Sequence, residues 1–297
     1  MPRTIISVLV ACAYILFYQL PVLGKEQLPV FVSIAPQKYF VQQIGKDLVN
    51  VQVMVPPGAD PHAYEPKPRQ MADLSKAKIY FAIGVPFENI WLKKIAAANP
   101  GVTVVHTDDG IEKIPMAAHH HDEDEAHHVK DAHGHREPDP HIWLSPLLVK
   151  IQAKTIMSTL QEMDPAHQAT YAQNYQQFSA QIDRLDAELK AIFAGKKGLS
   201  FMVFHPSWGY FARAYGLRQM AVEIEGKDPK PARLKELIKH AKEEGIKVIF
   251  VQPQFSTKSA QLVAREIGGQ VAVADPLAAD WLGNLREVAS KFKAALK

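Results

Sequence analysis

The chain has 297 residues, with 34 Lys and Arg against 31 Asp and Glu and a formal net charge of +3. That balance gives no reason to expect a nucleic-acid partner. The single cysteine, Cys12, falls in an apolar leader, so neither a disulfide nor a thiolate ligand is expected, and any metal must be held by nitrogen and oxygen.

In the leader, Arg3 precedes the apolar run IISVLVACAYILFYQLPVL, which stops at Gly24 before Lys25 and Glu26. This pattern predicts a signal peptide over 1–24, with Val22 and Gly24 at the recognition positions, and hence a periplasmic or otherwise extracytoplasmic protein. An uncleaved anchor is one alternative, because the run is long enough to span a bilayer. Lipid attachment at Cys12 is another, because Leu9-Val10-Ala11-Cys12 fits a lipobox. Cleavage after Gly24 is preferred, because the run stays apolar past Cys12. Roughly 270 residues then remain, long for one core and natural for two lobes. No later segment approaches the length of a membrane span.

Strand-like and helix-like segments then alternate. Strands are predicted over 29–34, 49–55, 78–84 and 102–107, with helices through Ile44, near 69–76 and over 87–98. This β-α-β rhythm implies a mostly parallel sheet covered by helices. The rhythm stops from Asp108 to Asp139, where acid and histidine crowd together and large apolar residues are few, as in a mobile loop. A helix is predicted from Pro146 to Met163. Asp164 and Pro165 then read as the start of another. There Tyr171, Tyr175, Phe178, Ile182, Leu185, Leu189 and Ile192 repeat at helical spacing. Roughly 30 residues would make a rod of about 45 Å, read as a strut between lobes. Strands are predicted again over 200–204, 218–224, 247–252 and 270–274, with helices over 232–244 and 281–296.

The expected fold class is therefore α/β: two (β/α) lobes with mostly parallel sheets, joined by a long rigid linker helix. The expected division is an N-terminal lobe over 25–145 carrying a His-rich loop at 117–137, a helical segment over 146–197 and a C-terminal lobe over 198–297.

Three histidines stand beside prolines in separate segments: ADPHAYEP (His62), PDPHIWLSP (His141) and FHPSWGY (His205). Open α/β sheets bind ligands beyond the carboxyl ends of their strands. His62, His141 and His205 all follow strands, as does Asp275 in ADPLA. A cleft between the lobes would gather three nitrogens and one carboxylate, a tetrahedral zinc set. Glu65 or Asp60 is expected to accept a hydrogen bond from the His62 ring, and Trp143 and Trp208 are expected to wall the site. Core packing is nearly as good a reading of both tryptophans, and Asp275 before proline is also an ordinary turn former. His106, His167 and His240 read as solvated or packed. In the loop, His119, His120, His121, His127, His128, His133 and His135 are expected to form weak auxiliary metal sites that exchange ions fast; ordering such a loop costs too much entropy for tight binding.

The segments GADPHAYEP, DPHIWLSP, FHPSWGYFARAYGL, KDPKPARLKELIKHAKEEGIKVIFVQPQFS and DPLA, in that order, resemble the metal-binding class of ABC-transporter periplasmic substrate-binding proteins. The zinc-uptake branch is the most similar, and the resemblance covers the chain beyond the leader. It implies two lobes around one rigid helix, metal between them, and His62, His141 and His205 as ligands, with Asp275, water or another carboxylate as the fourth. Manganese-binding relatives tend to carry glutamate where His205 stands, so imidazole there favours Zn²⁺. Gln252 departs from the pattern, since many relatives have glutamate there. The expected partner is a membrane permease, and the protein is expected to be a monomer. A manganese- or iron-binding protein of the same class and a metal-dependent adhesin are the alternatives. A zinc hydrolase is less favoured, for want of an HExxH helix or an obvious general base.

Overall fold

The computed structural model describes residues 27–116, 138–223 and 229–296. The expected leader at 1–24 and the His-rich loop at 117–137, with its seven auxiliary histidines, lie outside the described residues.

The first lobe is built from β1 (Leu28–Val32), α1 (Ala35–Gly45), β2 (Val49–Val53), α2 (Pro68–Leu74), β3 (Ile79–Ala82), α3 (Pro86–Ala98) and β4 (Thr103–His106). Its sheet runs β2-β1-β3-β4, with every neighbouring pair parallel. All four residues of β3 are buried, as expected of a central parallel strand covered on both faces. Proline occupies the first turn of α1, α2 and α3, where the missing N–H has no helical partner to lose.

Two helices follow, α4 (Pro146–Met163) and α5 (Gln168–Ile192). A one-turn 3-10 segment, Pro165–His167, joins them, so they pack as an antiparallel hairpin. Asp164 holds the corner, accepting hydrogen bonds from the His167 ring and the Tyr171 hydroxyl, both at 2.7 Å. This turn shortens the expected strut to 25 residues, about 37 Å at 1.5 Å each.

The second lobe contains β5 (Ser200–Val203), α6 (Gly209–Tyr215), β6 (Arg218–Ala221), α7 (Pro231–Glu243), β7 (Val248–Val251), α8 (Lys258–Glu266), β8 (Gln270–Val273) and α9 (Trp281–Ala295). Its order, β6-β5-β7-β8, repeats that of the first sheet, again all parallel. Helices α6 and α8 were not expected from the sequence. Both are short, and α6 is apolar on most sides, so neither shows a clear 3.6-residue stripe. Gly216 closes α6 with φ 69°, a left-handed conformation that a side chain would strain. Among the described residues, no helix is long and apolar enough to cross a membrane.

The lobes are not two separate cores. One continuous apolar cluster runs from β1 and α1 through α4 and α5 into α9 and the inner face of the second sheet. Phe40 of α1, Phe178 of α5 and Trp281 of α9 meet there, with ring centroids 5.2 to 6.4 Å apart. Hydrogen bonds add to the seam. The Trp281 indole donates to the Trp143 carbonyl, and the Trp143 indole donates to the Pro276 carbonyl, each at 2.7 Å. Polar bonds inside such an apolar shell are costly to break, so the seam resists opening.

Candidate metal centre

The loops at the carboxyl ends of the strands converge on one small pocket between the lobes. From the first lobe it is lined by His62, Val85, His141 and Trp143, and from the second by His205, Gln254, Phe255 and Leu277. The ring centroids of His62, His141 and His205 lie 4.8 to 5.6 Å apart. One donor atom from each ring falls within 4.8 Å of the other two. Tetrahedral zinc with Zn–N near 2.05 Å needs nitrogens about 3.3 Å apart, a contraction of side-chain scale. The cavity volume is about 10 Å³, room for one ion or one water.

A single turn type presents three of the lining residues. In Asp60-Pro61-His62, Asp139-Pro140-His141 and Asp275-Pro276-Leu277, the aspartate Oδ1 accepts the backbone N–H two residues on, at 2.9 Å each time. Aspartate closes such a turn on its own backbone, and proline sets the intervening φ. The residue after the proline then faces the pocket. The third turn therefore offers Leu277 to the site, while Asp275 is its cap. Asp275, expected as a fourth ligand, caps this turn and is not in the group of converging donors. Its Oδ1 also accepts from Gln254 Nε2 at 3.0 Å.

Two of the three rings are oriented by carboxylates. His141 Nδ1 lies 2.7 Å from Asp139 Oδ1, and His205 Nδ1 lies 2.6 Å from Glu223 Oε1. An ionised carboxylate can only accept, so Nδ1 donates to it in both rings and Nε2 is the atom left to face a metal. His205 Nε2 is buried and has no hydrogen-bonding partner among the described residues, as befits an atom kept for a metal. His141 and His205 are 4% and 5% exposed. His62 is half-buried, and its ring has no such carboxylate. Burial, then the proximity of His141 and His205, pushes the His62 imidazole down to about 3. Burial likewise holds His141 well below the ordinary imidazole range. Both rings are thus neutral donors at neutral pH. Burial also lifts the Asp139 carboxyl to about 7.

His205 is clamped on every side. Gln252 is buried beneath it, accepting the His205 N–H at 3.1 Å and donating to the His205 carbonyl at 2.7 Å. The amide supplies both halves of this clamp, as an ionised carboxylate could not. Phe255 stacks on the ring at 4.6 Å. Strand β6 ends at Ala221, short of the expected Ile224. The Val222 N–H is shared between the Val203 and Phe204 carbonyls and the Glu223 N–H goes to Phe204, which brings Glu223 beneath His205.

Trp143 walls the pocket as expected, 5.1 Å from the His141 ring. Trp208 does not. It is buried against Phe211 and Phe292 in the core of the second lobe, so packing explains it. Glu65 is exposed and makes no contact with His62, and Asp60 binds the His62 backbone rather than its ring. Asp139, Glu223, Gln252 and Phe255 were not singled out as site residues. Asp139 was accessible from the repeated Asp-Pro-His spacing. Glu223 and Phe255 come from the segments that follow β6 and β7, and no local spacing betrays them.

Comparison with known proteins agrees with this arrangement. The ZnuA family, described as zinc-uptake complex component A periplasmic, matches residues 30–295. A crystal structure of ZnuA superposes with a TM-score of 0.83 at 45% identity, covering 91% of this chain and 99% of that one. A zinc-bound deletion mutant of ZnuA gives 0.82, also at 45% identity, covering 91% and 98%. The high-affinity zinc uptake system protein ZnuA of Bacillus subtilis (strain 168) is 28% identical over 256 residues, 85% of this chain and 79% of that protein. With its paired parallel sheets, shared core and a family match over residues 30–295, this chain belongs to the ZnuA family of zinc-uptake substrate-binding proteins.

Proposed function

We propose that this chain captures one zinc ion outside the cytoplasmic membrane and delivers it to an ABC-type permease. The observation that carries this reading is the meeting of three imidazoles, from loops far apart in sequence, around a cavity of ion size. Nitrogen donors without a carboxylate among them suit zinc better than manganese or calcium. The zinc named for the relatives supports the same choice. No bond is made or broken. Imidazole lone pairs displace water from the ion, and release reverses this.

The dimensions weigh against an enzyme. Organic substrates occupy pockets of roughly 300 Å³ or more, far above this cavity. The shared core and the tryptophan seam support small loop movements on release rather than wide hinge opening. The division into 25–145, 146–197 and 198–297 remains our reading of the domains, although α4 and α5 pack on the first lobe through α1. The His-rich segment at 117–137 would supply weaker, faster sites.

Elemental analysis with calorimetric titration tests the reading. The expected result is one tight zinc per chain, lost in His205→Ala and retained when 117–137 is deleted. Tight binding that survives His205→Ala, or that disappears with the loop, refutes it.

A further inference from the structure

Three imidazoles leave one position of a tetrahedral ion to be completed, and Gln254 stands where that position is governed. Gln254 lines the pocket and Asp275 does not, so the amide lies between the carboxylate and the cavity. Its Nε2 donates to Asp275 Oδ1 at 3.0 Å, an atom that also accepts the Leu277 N–H. Because a carboxylate only accepts, the amide cannot turn over: NH₂ must face Asp275 and the carbonyl oxygen must face away. That oxygen, Oε1, is buried and has no hydrogen-bonding partner among the described residues. Leaving a buried amide oxygen without a partner costs about 1–3 kcal/mol, which calls for a ligand to satisfy it.

We infer that Gln254, oriented by Asp275, accepts a hydrogen bond from a water that completes the shell of the bound metal ion. Asp275 then acts through Gln254 and never touches the ion. The partial negative charge on Oε1 also selects the occupant. It favours a ligand with a hydrogen to give and repels a small anion such as chloride. The inference rests on the three-histidine reading above and deepens it.

Zinc affinity should be measured by chelator competition for the full-length wild type and for Gln254→Met, Asp275→Ala, the double variant and His205→Ala. Gln254→Met keeps the shape and removes the acceptor. It should weaken binding about 10-fold or more, within the range for groups that orient a metal's ligands. Asp275→Ala should have a similar effect, and the double variant should be no worse than Gln254→Met alone, because both changes break one chain of contacts. The Co²⁺-loaded proteins give a second readout that a purely structural role would not move. Chloride should alter the visible spectrum of Gln254→Met and leave that of wild type unchanged. Additive losses in the double variant, or a larger loss in Asp275→Ala than in Gln254→Met, would make Asp275 an independent ligand and overturn the inference. Equal chloride responses would overturn it as well. If His205→Ala keeps full affinity, the three-histidine reading itself fails; if only His205→Ala is impaired, the fault lies with Gln254.

Discussion

His62 and His205 face each other across the pocket with ring centroids 4.8 Å apart, yet the two lobes hold them in opposite ways. His205 is buried, bonded to Glu223, stacked on Phe255 and clamped through its backbone by Gln252. His62 is half-buried and rests on one Asp-Pro turn. His141 resembles His205, with Asp139 on its Nδ1. Two rings are thus set before any ion arrives, and the third is left to close on it. A site that must both capture and release benefits from this asymmetry: the fixed rings lower the ordering cost of binding, and the loosely held one gives the ion a way out.

The contrast can be broken first at the ligands. His205→Ala should cost about 3 kcal/mol of zinc affinity, roughly 150-fold, if the total for such sites is shared among four ligands. His62→Ala should act chiefly on dissociation, since its ring engages last. Stopped-flow kinetics showing an equal fall in the association rate would argue against that order.

Acid should probe the same rings next. The folded apo-protein keeps His62 and His141 neutral, with His62 pushed down to about 3. The unfolded chain takes up protons at both positions near pH 6.5. At these two rings unfolding therefore binds protons in the window from about 6.5 down to about 3 and lowers apo stability as pH falls through it, while Asp139 and Glu88, both lifted to about 7 by burial, release protons on unfolding over much of the same range and oppose that loss. The slope is at most about 1.4 kcal/mol per pH unit for each ring. The contribution of one ring is isolated by comparing metal-free wild type with His62→Ala: the melting temperature of the variant relative to wild type should rise as pH is lowered from 7 to 5, and a constant difference would contradict this. For binding, proton competition near 6.5 describes a solvated imidazole, whereas these two rings resist protonation to lower pH.

The carboxylates sharpen the comparison further. Glu223→Gln should weaken zinc binding about 10- to 100-fold. Asp60→Ala, which removes only a backbone contact at His62, should cost less than Glu223→Gln. Equal losses would mean that His62 is as firmly set as His205. The smallest effect is expected at Gln252. Gln252→Glu removes the donor to the His205 carbonyl and should lower stability by about 1–2 kcal/mol in chemical denaturation.

Much of this arrangement is legible in the residues. The strand and helix rhythm is visible because parallel strands are short apolar runs and their covering helices are amphipathic. The three histidines could be nominated because each follows a strand, and α/β sheets gather such loops at one end. The role of Asp275 as a turn cap was also legible locally. In both Asp-Pro-His turns the residue after the proline faces the pocket, and applying that register to ADPLA would have nominated Leu277 and made Asp275 the cap.

Other features had no local sign. Trp208 follows His205 by three residues, but the chain turns into α6 there and carries the indole into the core. Glu223 reaches His205 only because β6 lies beside β5 and ends early. The shared core joining the lobes depends on α9 returning across α5 to meet α1.

By itself the order of residues determined the α/β class, the paired lobes, the long helix and the three imidazoles, because periodicity, turn chemistry and strand ends act over a few residues. Only the folded chain decided which carboxylates orient those imidazoles, which tryptophan walls the pocket, and that Asp275 supports Gln254 instead of joining the converging donors. Those outcomes depend on how strands from distant parts of the chain lie side by side, and that adjacency is set by packing and burial rather than by spacing along the sequence.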